Sequence, residues 1–279
     1  MKIKYLGTAA AEGVPAAFCN CEVCINARKN KGKDLRARQQ VLINDDLLID
    51  FGEDTFFNSL RYGLDLSKIK TVLITHTHSD HFVPFYLIYK QDLCSHNMVE
   101  PVINFYGNST MRDKFYDYLK NNLTDNLKSH ISVNVLKEFE RVRIGDYFVT
   151  PLKADHKKDE NAFVYIIEDL SGKTILYCHD SGFLPKEDLE YLKNHNVRFD
   201  FLSLDCTLYY LNAVWGDHMT VKECAELSDI LKSIAGIRDK TETYLAHFSH
   251  NHIKSHEEMT TDAKKYNFKI AYDGLELNI

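Results

Sequence analysis

Three histidines and an aspartate fall within six residues, His76-Thr77-His78-Ser79-Asp80-His81. With 13 histidines in 279 residues, random placement yields such a triplet about 0.03 times per chain, so the cluster needs a physical cause. Residues two apart on an extended chain point the same way, which lets His76 and His78 share one cation. Asp80 and His81 lie where the chain turns toward a helix expected from Phe82, and can face a second. Imidazole suits zinc, iron or manganese, and an added carboxylate shifts the site toward harder, catalytic ions. Two ions about 3.5–4 Å apart can trap a bridging hydroxide and stabilise both the attacking and the leaving oxygen of a displacement. The chemistry in prospect is hydrolysis.

Each ion needs more ligands than the window supplies. Short apolar or β-branched runs recur, and each leads into a potential ligand. Thr71–Thr75 precedes His76, Tyr147–Ala154 precedes Asp155-His156, and Lys173–Tyr177 precedes Cys178-His179-Asp180. Phe199–Leu204 ends at Asp205, and Thr243–Ala246 at His247. Such runs read as strands, and in layered α/β sheets ligands gather at one end of the strands. One site assembled from distant segments follows. His156, Asp180 and His247 are expected to complete the coordination, with Asp180 as the bridge because a carboxylate offers two oxygens. Asp50, Asp205 and Asp273 are expected behind the ligands, orienting them. His218, in Gly216-Asp217-His218-Met219-Thr220, precedes a helix whose free amides could attract an anion. It is the candidate to bind phosphate or protonate a leaving alkoxide, and Asp80 is its catalytic companion at the metals.

Seven cysteines are present, three of them crowded as Cys19, Cys21 and Cys24. In a reducing compartment such a cluster reads as a metal site rather than a disulfide framework. Cys94, Cys178, Cys206 and Cys224 lie in apolar runs and are expected to be buried. His96, His130, His195, His252 and His256 read as structural, while His179 is left open because it abuts Asp180.

The elements that must position these groups are legible in outline. Val41–Ile43, a turn at Asn44-Asp45-Asp46, and Leu47–Asp50 form a hairpin. Thr220 with Glu223 and Ser255 with Glu258 are capping boxes, the first helix stopping at Gly236, and Leu184–His195 is a third helix. Helices interspersed with strands give a mixed α/β class. Lysine and arginine number 34 and aspartate and glutamate 40, for a net charge of −6. That balance, without a basic tract, disfavours a nucleic-acid partner. No stretch approaches the roughly 18 apolar residues of a membrane helix, and the start lacks the apolar core of a secretion signal. The expected setting is the cytoplasm, with one domain over residues 1–279.

The window and its surroundings resemble the metallo-β-lactamase superfamily, whose hallmark is His-x-His-x-Asp-His after an apolar strand. Gly7-Thr8, Leu48-Ile49-Asp50-Phe51-Gly52, Thr150-Pro151-Leu152, Asp180-Ser181-Gly182, His247 and Ala271-Tyr272-Asp273-Gly274 extend the likeness over most of the chain. It implies a four-layer αββα sandwich. It also implies one ion on His76, His78 and His156, a second on Asp80, His81 and His247, and Asp180 between them. True β-lactamases usually carry cysteine where Asp180 aligns, so antibiotic hydrolysis is not the implied activity. Gly13-Val14-Pro15, the Cys19-x-Cys21-x-x-Cys24 element and His247-x-x-His250 resemble the PhnP-type phosphodiesterases. This implies a structural zinc on Cys19, Cys21, Cys24 and His250 that clamps a loop at about 13–30; three thiolates and one imidazole make a closed tetrahedral site. The implied activity is hydrolysis of a small, cyclic phosphate ester by two divalent ions (manganese, zinc or iron). The alternatives are a tRNA-processing nuclease of the RNase Z type and a non-catalytic metal-stapled scaffold. Segment 82–118 reads as a lid or as the surface of a homodimer.

Overall fold

Apolar alternation divides the strand residues between two faces, and the faces build the layers. The computed structural model describes residues 1–211, 216–234 and 236–279, with residue 239 described for its backbone alone. The first sheet holds β1 (Lys2–Gly7), β2 (Gln40–Ile43), β3 (Leu47–Ile49), β4 (Thr71–Leu73), β5 (Ile103–Gly107) and β6 (Ile131–Val135). The second holds β7 (Val142–Ile144), β8 (Tyr147–Lys153), β9 (Phe163–Asp169), β10 (Thr174–Cys178), β11 (Phe199–Asp205), β12 (Ile237–Ala246) and β13 (Lys269–Ile270). A last strand, β14 (Glu276–Asn278), returns to the first sheet beside β1. Both sheets are mixed: β3 to β6 run parallel in one and β10 to β13 in the other.

Val41, Ile43, Leu47 and Ile49 of the first sheet meet Phe163, Tyr165, Ile175 and Tyr177 of the second in a core between the sheets. Their neighbours along the chain face outward. Leu42, Leu48 and Val72 pack with Met111, Phe115 and Leu119 of α3 (residues 109–119). Val164, Leu176 and Leu202 pack with α5 (Lys186–Asn194), α6 (Val221–Ser233) and α7 (His256–Ala263). Helix, sheet, sheet, helix is the expected αββα sandwich, and period-two patterning on both sheets produces it. The remaining helices are α1 (Glu22–Asn30), α2 (Thr55–Tyr62) and α4 (Asp125–Ser129). No helix among the described residues is long and apolar enough to cross a membrane.

The hairpin forms with Val41 opposite Ile49 and Leu42 opposite Leu48. Its turn residues Asn44 and Asp45 take left-handed angles (φ 47° and 66°), which Asn and Asp tolerate best. Both capping boxes are present. Several boundaries differ from the sequence reading. The strand before the histidine window stops at Leu73, since the Ile74 amide bonds to Tyr106 and the Thr75 amide to Asp50. The helix expected from Phe82 is a 3-10 turn over Pro84–Tyr89, and α6 ends at Ser233 rather than at Gly236. Residues 82–118 are not one lid: β5 and α3 lie within them and bury Phe105, Met111 and Phe115. The surface it leaves outward is aromatic, with Phe85, Tyr86 and Tyr89 exposed beside Phe56 of α2. Cys178, Cys206 and Cys224 are buried as expected, but Cys94 is exposed, because its segment runs across the surface after Tyr89.

Candidate metal centre

β8, β10, β11 and β12 share one direction, so His156, Asp180, Asp205 and His247 all follow carboxyl ends of strands on one edge of the second sheet. β3 and β4 deliver Asp50 and the histidine window from the first sheet. Two glycines allow the connecting loops to close on one another. A Cβ at Gly52 would stand 1.9 Å from the Asp80 carbonyl oxygen, and one at Gly182 would stand 1.6 Å from that of Gly216.

Three imidazoles converge first. His76 Nε2 lies 2.9 Å and His156 Nε2 lies 3.2 Å from His78 Nδ1. Imidazole nitrogens bound to one zinc at 2.0–2.1 Å stand roughly 3.3 Å apart, so this triangle has the size of a coordination face. Beside it, Asp80, His81, Asp180 and His247 are all buried, with ligand atoms within 4.8 Å of one another. Asp180 belongs to both groups. Its Oδ2 is 2.5 Å from His81 Nε2, 3.3 Å from His247 Nε2 and 3.4 Å from His76 Nε2, while Oδ1 is 3.5 Å from His156 Nε2. The expected ligand set is thus one cluster with Asp180 at its centre.

Divalent ions fit these residues on a direct structural ground. His81 Nε2 and His247 Nε2 are buried and make no hydrogen bond, although each faces a carboxylate. A buried polar atom without a partner costs about 1–3 kcal/mol, and a cation between imidazole and carboxylate satisfies both. The opposite ring nitrogens are fixed from behind. His81 Nδ1 meets Asp50 Oδ2 at 2.7 Å, and His247 Nδ1 lies 2.7 Å from the Thr207 hydroxyl and 3.2 Å from Asp205 Oδ2. Asp50 also accepts from the Thr75 amide and hydroxyl, and Asp205 from the Asp180, Thr207 and Met219 amides. Such partners set ring orientation and leave Nε2 toward a metal. Asp50, Asp180 and His247 hold left-handed angles (φ 66°, 52° and 60°). These conformations cost about 1–3 kcal/mol each and persist where surrounding contacts over-determine them.

The electrostatics follow from carboxylates packed without lysine or arginine. Burial opposes the charged form of His81, but Asp80, Asp50 and Asp180 outweigh it and hold its pKa well above the usual range. Burial is likewise overcome at His247, which Asp180 and Asp205 raise to about 10. His76 goes the other way, pushed well down by burial and by His81. Positive charge is favoured at His81 and His247 and disfavoured at His76.

His218 lies beside the cluster, its Nδ1 3.2 Å from Asp205 Oδ2 and 3.5 Å from Asp180 Oδ1. The helix terminus that the sequence pointed to is largely occupied. The Thr220 and Glu223 amides are consumed by the capping box, and the Met219 amide by Asp205. Asp273 is a second correction: it touches no ligand histidine. It accepts from the Thr8 hydroxyl and the Ala37 amide, near the buried Arg36, and so fastens two loops to each other. His179 turns away from the cluster, with Nε2 2.8 Å from Ser203 Oγ. Thr75, Thr207 and Glu160, which holds the Thr77 amide and hydroxyl, carried no signal in the sequence.

Cys19, Cys21, Cys24 and His250 form a separate group with ligand atoms within 4.8 Å, and Cys21 Sγ is 3.5 Å from His250 Nδ1. Burial would raise the Cys21 thiol, but the Cys24 backbone and His250 bring it down to about 6, whereas burial raises Cys24 to about 11. The donor set is that of a closed zinc site.

Residues 46–248 match the family model described as the Beta-lactamase superfamily domain. No curated protein matches by sequence. Among solved structures, the chain is similar to a diphosphatase from the PhnP family, with a TM-score of 0.76 and 22% identity over 100% of this chain and 97% of that one. It is also similar to zinc-bound PqqB from Methylobacterium extorquens (TM-score 0.74, 17% identity, all of both chains). Human short-form tRNase Z follows at 0.66 and 18%, covering 100% of this chain and 99% of that one. At these identities the likeness is one of fold.

Proposed function

The chain belongs to the Beta-lactamase superfamily, whose members are generally metal-dependent hydrolases, and from that premise we propose that it is a dinuclear phosphodiesterase acting on a small phosphate ester. The observation that carries the reading is the central place of Asp180, within 3.5 Å of ligand nitrogens on both sides. His76, His78 and His156 would hold one ion, and Asp80, His81 and His247 the other, with Asp180 shared. Two divalent ions there (manganese, zinc or iron) would supply a nucleophile at neutral pH and neutralise the non-bridging phosphate oxygens.

The protein's own groups do the rest. Asp50, Asp205 and Thr207 hold the imidazoles with Nε2 forward. Asp205 engages His218 through Nδ1, which leaves Nε2 to donate a proton to the departing alkoxide. The cleft these residues share has a volume of about 350 Å³, the scale of a small ligand, and a cyclic phosphodiester is the substrate this favours. With a net charge of −6, long-range attraction for tRNA is weak, which favours the small ester over the nuclease alternative. Cys19, Cys21, Cys24 and His250 would carry a structural zinc, and a reducing compartment such as the cytoplasm would keep their thiols available.

The test is turnover by the metal-loaded protein of bis(p-nitrophenyl) phosphate and of cyclic nucleotides. Hydrolysis lost on chelation and restored by manganese or zinc is the expected result. Inertness toward every phosphodiester, with activity on a thioester or lactone, overturns the substrate class.

A further inference from the structure

The far end of the same cleft is built from the zinc-clamped loop and the turn that follows His247. Glu12, Ser249, Asn251 and His252 line it opposite His78 and His156. Glu12 is anchored there: its Oε1 accepts from the Ser249 hydroxyl at 2.8 Å and the Asn251 amide group at 3.3 Å, and lies 3.7 Å from His250 Nε2. His250 turns its other nitrogen to Cys21. The cysteine cluster and the catalytic cleft therefore share one short segment, 247–251, and the clamp sets where the Glu12 carboxylate stands.

The charge of this end is the informative feature. Among the described residues that line the cleft there is no lysine or arginine, and the sequence of residues 212–215 contains none. Several cations outside the lining are engaged with other groups. Arg38 donates to the Ala11 carbonyl and pairs with Glu53 and Asp54, Lys114 donates to the Thr77 carbonyl, and Lys157 pairs with Asp159 and Glu160. The metals would hold one phosphate. A second would meet the Glu12 carboxylate with no lysine or arginine among the described lining residues to receive it, which is repulsive. A hydroxyl, by contrast, donates to a carboxylate in a strong charge-assisted bond.

We infer that Glu12 and Asn251 form the recognition end of the cleft, and that the substrate is a singly phosphorylated diester, cyclic or open, of a sugar or polyol that carries free hydroxyls. The inference rests on the phosphodiesterase reading. Three p-nitrophenyl phosphodiesters test it with the metal-loaded full chain: propyl, glyceryl, and glyceryl carrying a terminal phosphate. The glyceryl ester is preferred over each of the others by at least about tenfold in kcat/KM, since a site built to bind a hydroxyl discriminates strongly against its loss. Glu12→Ala brings the glyceryl-to-propyl ratio toward one. Glu12→Gln, which keeps an acceptor for Ser249, shrinks the discrimination against the terminal phosphate at least about fivefold. Zinc content measured on each variant shows that the clamped loop is intact. Equal turnover of the singly and doubly phosphorylated esters, or ratios unmoved in both zinc-retaining variants, overturns the inference alone. No turnover of any of the three overturns the phosphodiesterase reading and this inference with it.

Discussion

At the scale of the residue, the site is a set of imidazoles held from behind by carboxylates. Asp50 and Asp205 are wholly buried and spend their oxygens on backbone amides and on the Nδ1 side of His81 and His247. Removing such a partner typically costs 10–100-fold in metal affinity. Asp50→Ala is therefore expected to weaken the ion at His81 by about that factor, read by competition with a chelating dye. Its effect at the Cys19, Cys21, Cys24 group is expected to be nil. His218→Ala is expected to lower kcat by about 10²–10⁴-fold on alkyl leaving groups. The loss should be much smaller on p-nitrophenyl, which departs without a proton, so the leaving-group dependence separates acid catalysis from a structural role. The residues that cluster were legible because histidine and aspartate are rare at such spacings and sit after strand-like runs. Thr75, Thr207 and Glu12 were not, since a hydroxyl or surface carboxylate announces no role until the fold brings it to a neighbour. Asp273 shows the converse, an acid near the motif pattern whose partners are loop amides.

At the scale of the element, the strands whose apolar runs end in ligands could be read directly, because buried strands need near-continuous Val, Ile and Leu. The helices α1 to α4 could not: α2, for instance, starts at Thr55 after Asp54, whose side chain makes no capping bond. Loop closure depends on positions where a side chain cannot fit. Gly52→Ala places a methyl 1.9 Å from the Asp80 carbonyl, and is expected to destabilise the fold by a few kcal/mol and displace Asp80, seen as a lower Tm with loss of one bound ion. A further prediction concerns α5. Asp188 is fully buried, accepts only the Lys153 amide, and leaves Oδ2 without a partner; burial pushes its pKa up to about 7. Its unfolded value lies near 3.9, so its stabilising contribution is complete below about pH 4 and is lost as pH rises through about 7. Urea midpoints should fall for the native protein between pH 5 and pH 8, and Asp188→Asn should flatten that fall. A fall of equal size in the variant contradicts the assignment.

At the scale of the whole molecule, two sheets with a shared core bring carboxyl ends of strands from both halves to one edge. Asp50 and the window come from one sheet, and His156, Asp180 and His247 from the other, so the metal cluster spans the sandwich. The mixed α/β class followed from helices interspersed with strands, whereas the face-to-face pairing of the sheets came only from the family resemblance, because alternation shows that a strand has two faces and not which sheet each face meets. The N-terminal loop that carries Cys19, Cys21 and Cys24 joins this arrangement at 247–251, where one turn serves both clusters. Seven residues from four segments would hold two neighbouring cations about Asp180. Anomalous diffraction from crystals of the gently purified protein, collected at the manganese, iron and zinc edges, tests it most directly. Two peaks about 3.5–4 Å apart are expected, one against His76, His78 and His156 and the other against Asp80, His81 and His247. A third zinc peak should lie among Cys19, Cys21, Cys24 and His250. A single peak in the cleft, or none while the cysteine site is filled, contradicts it.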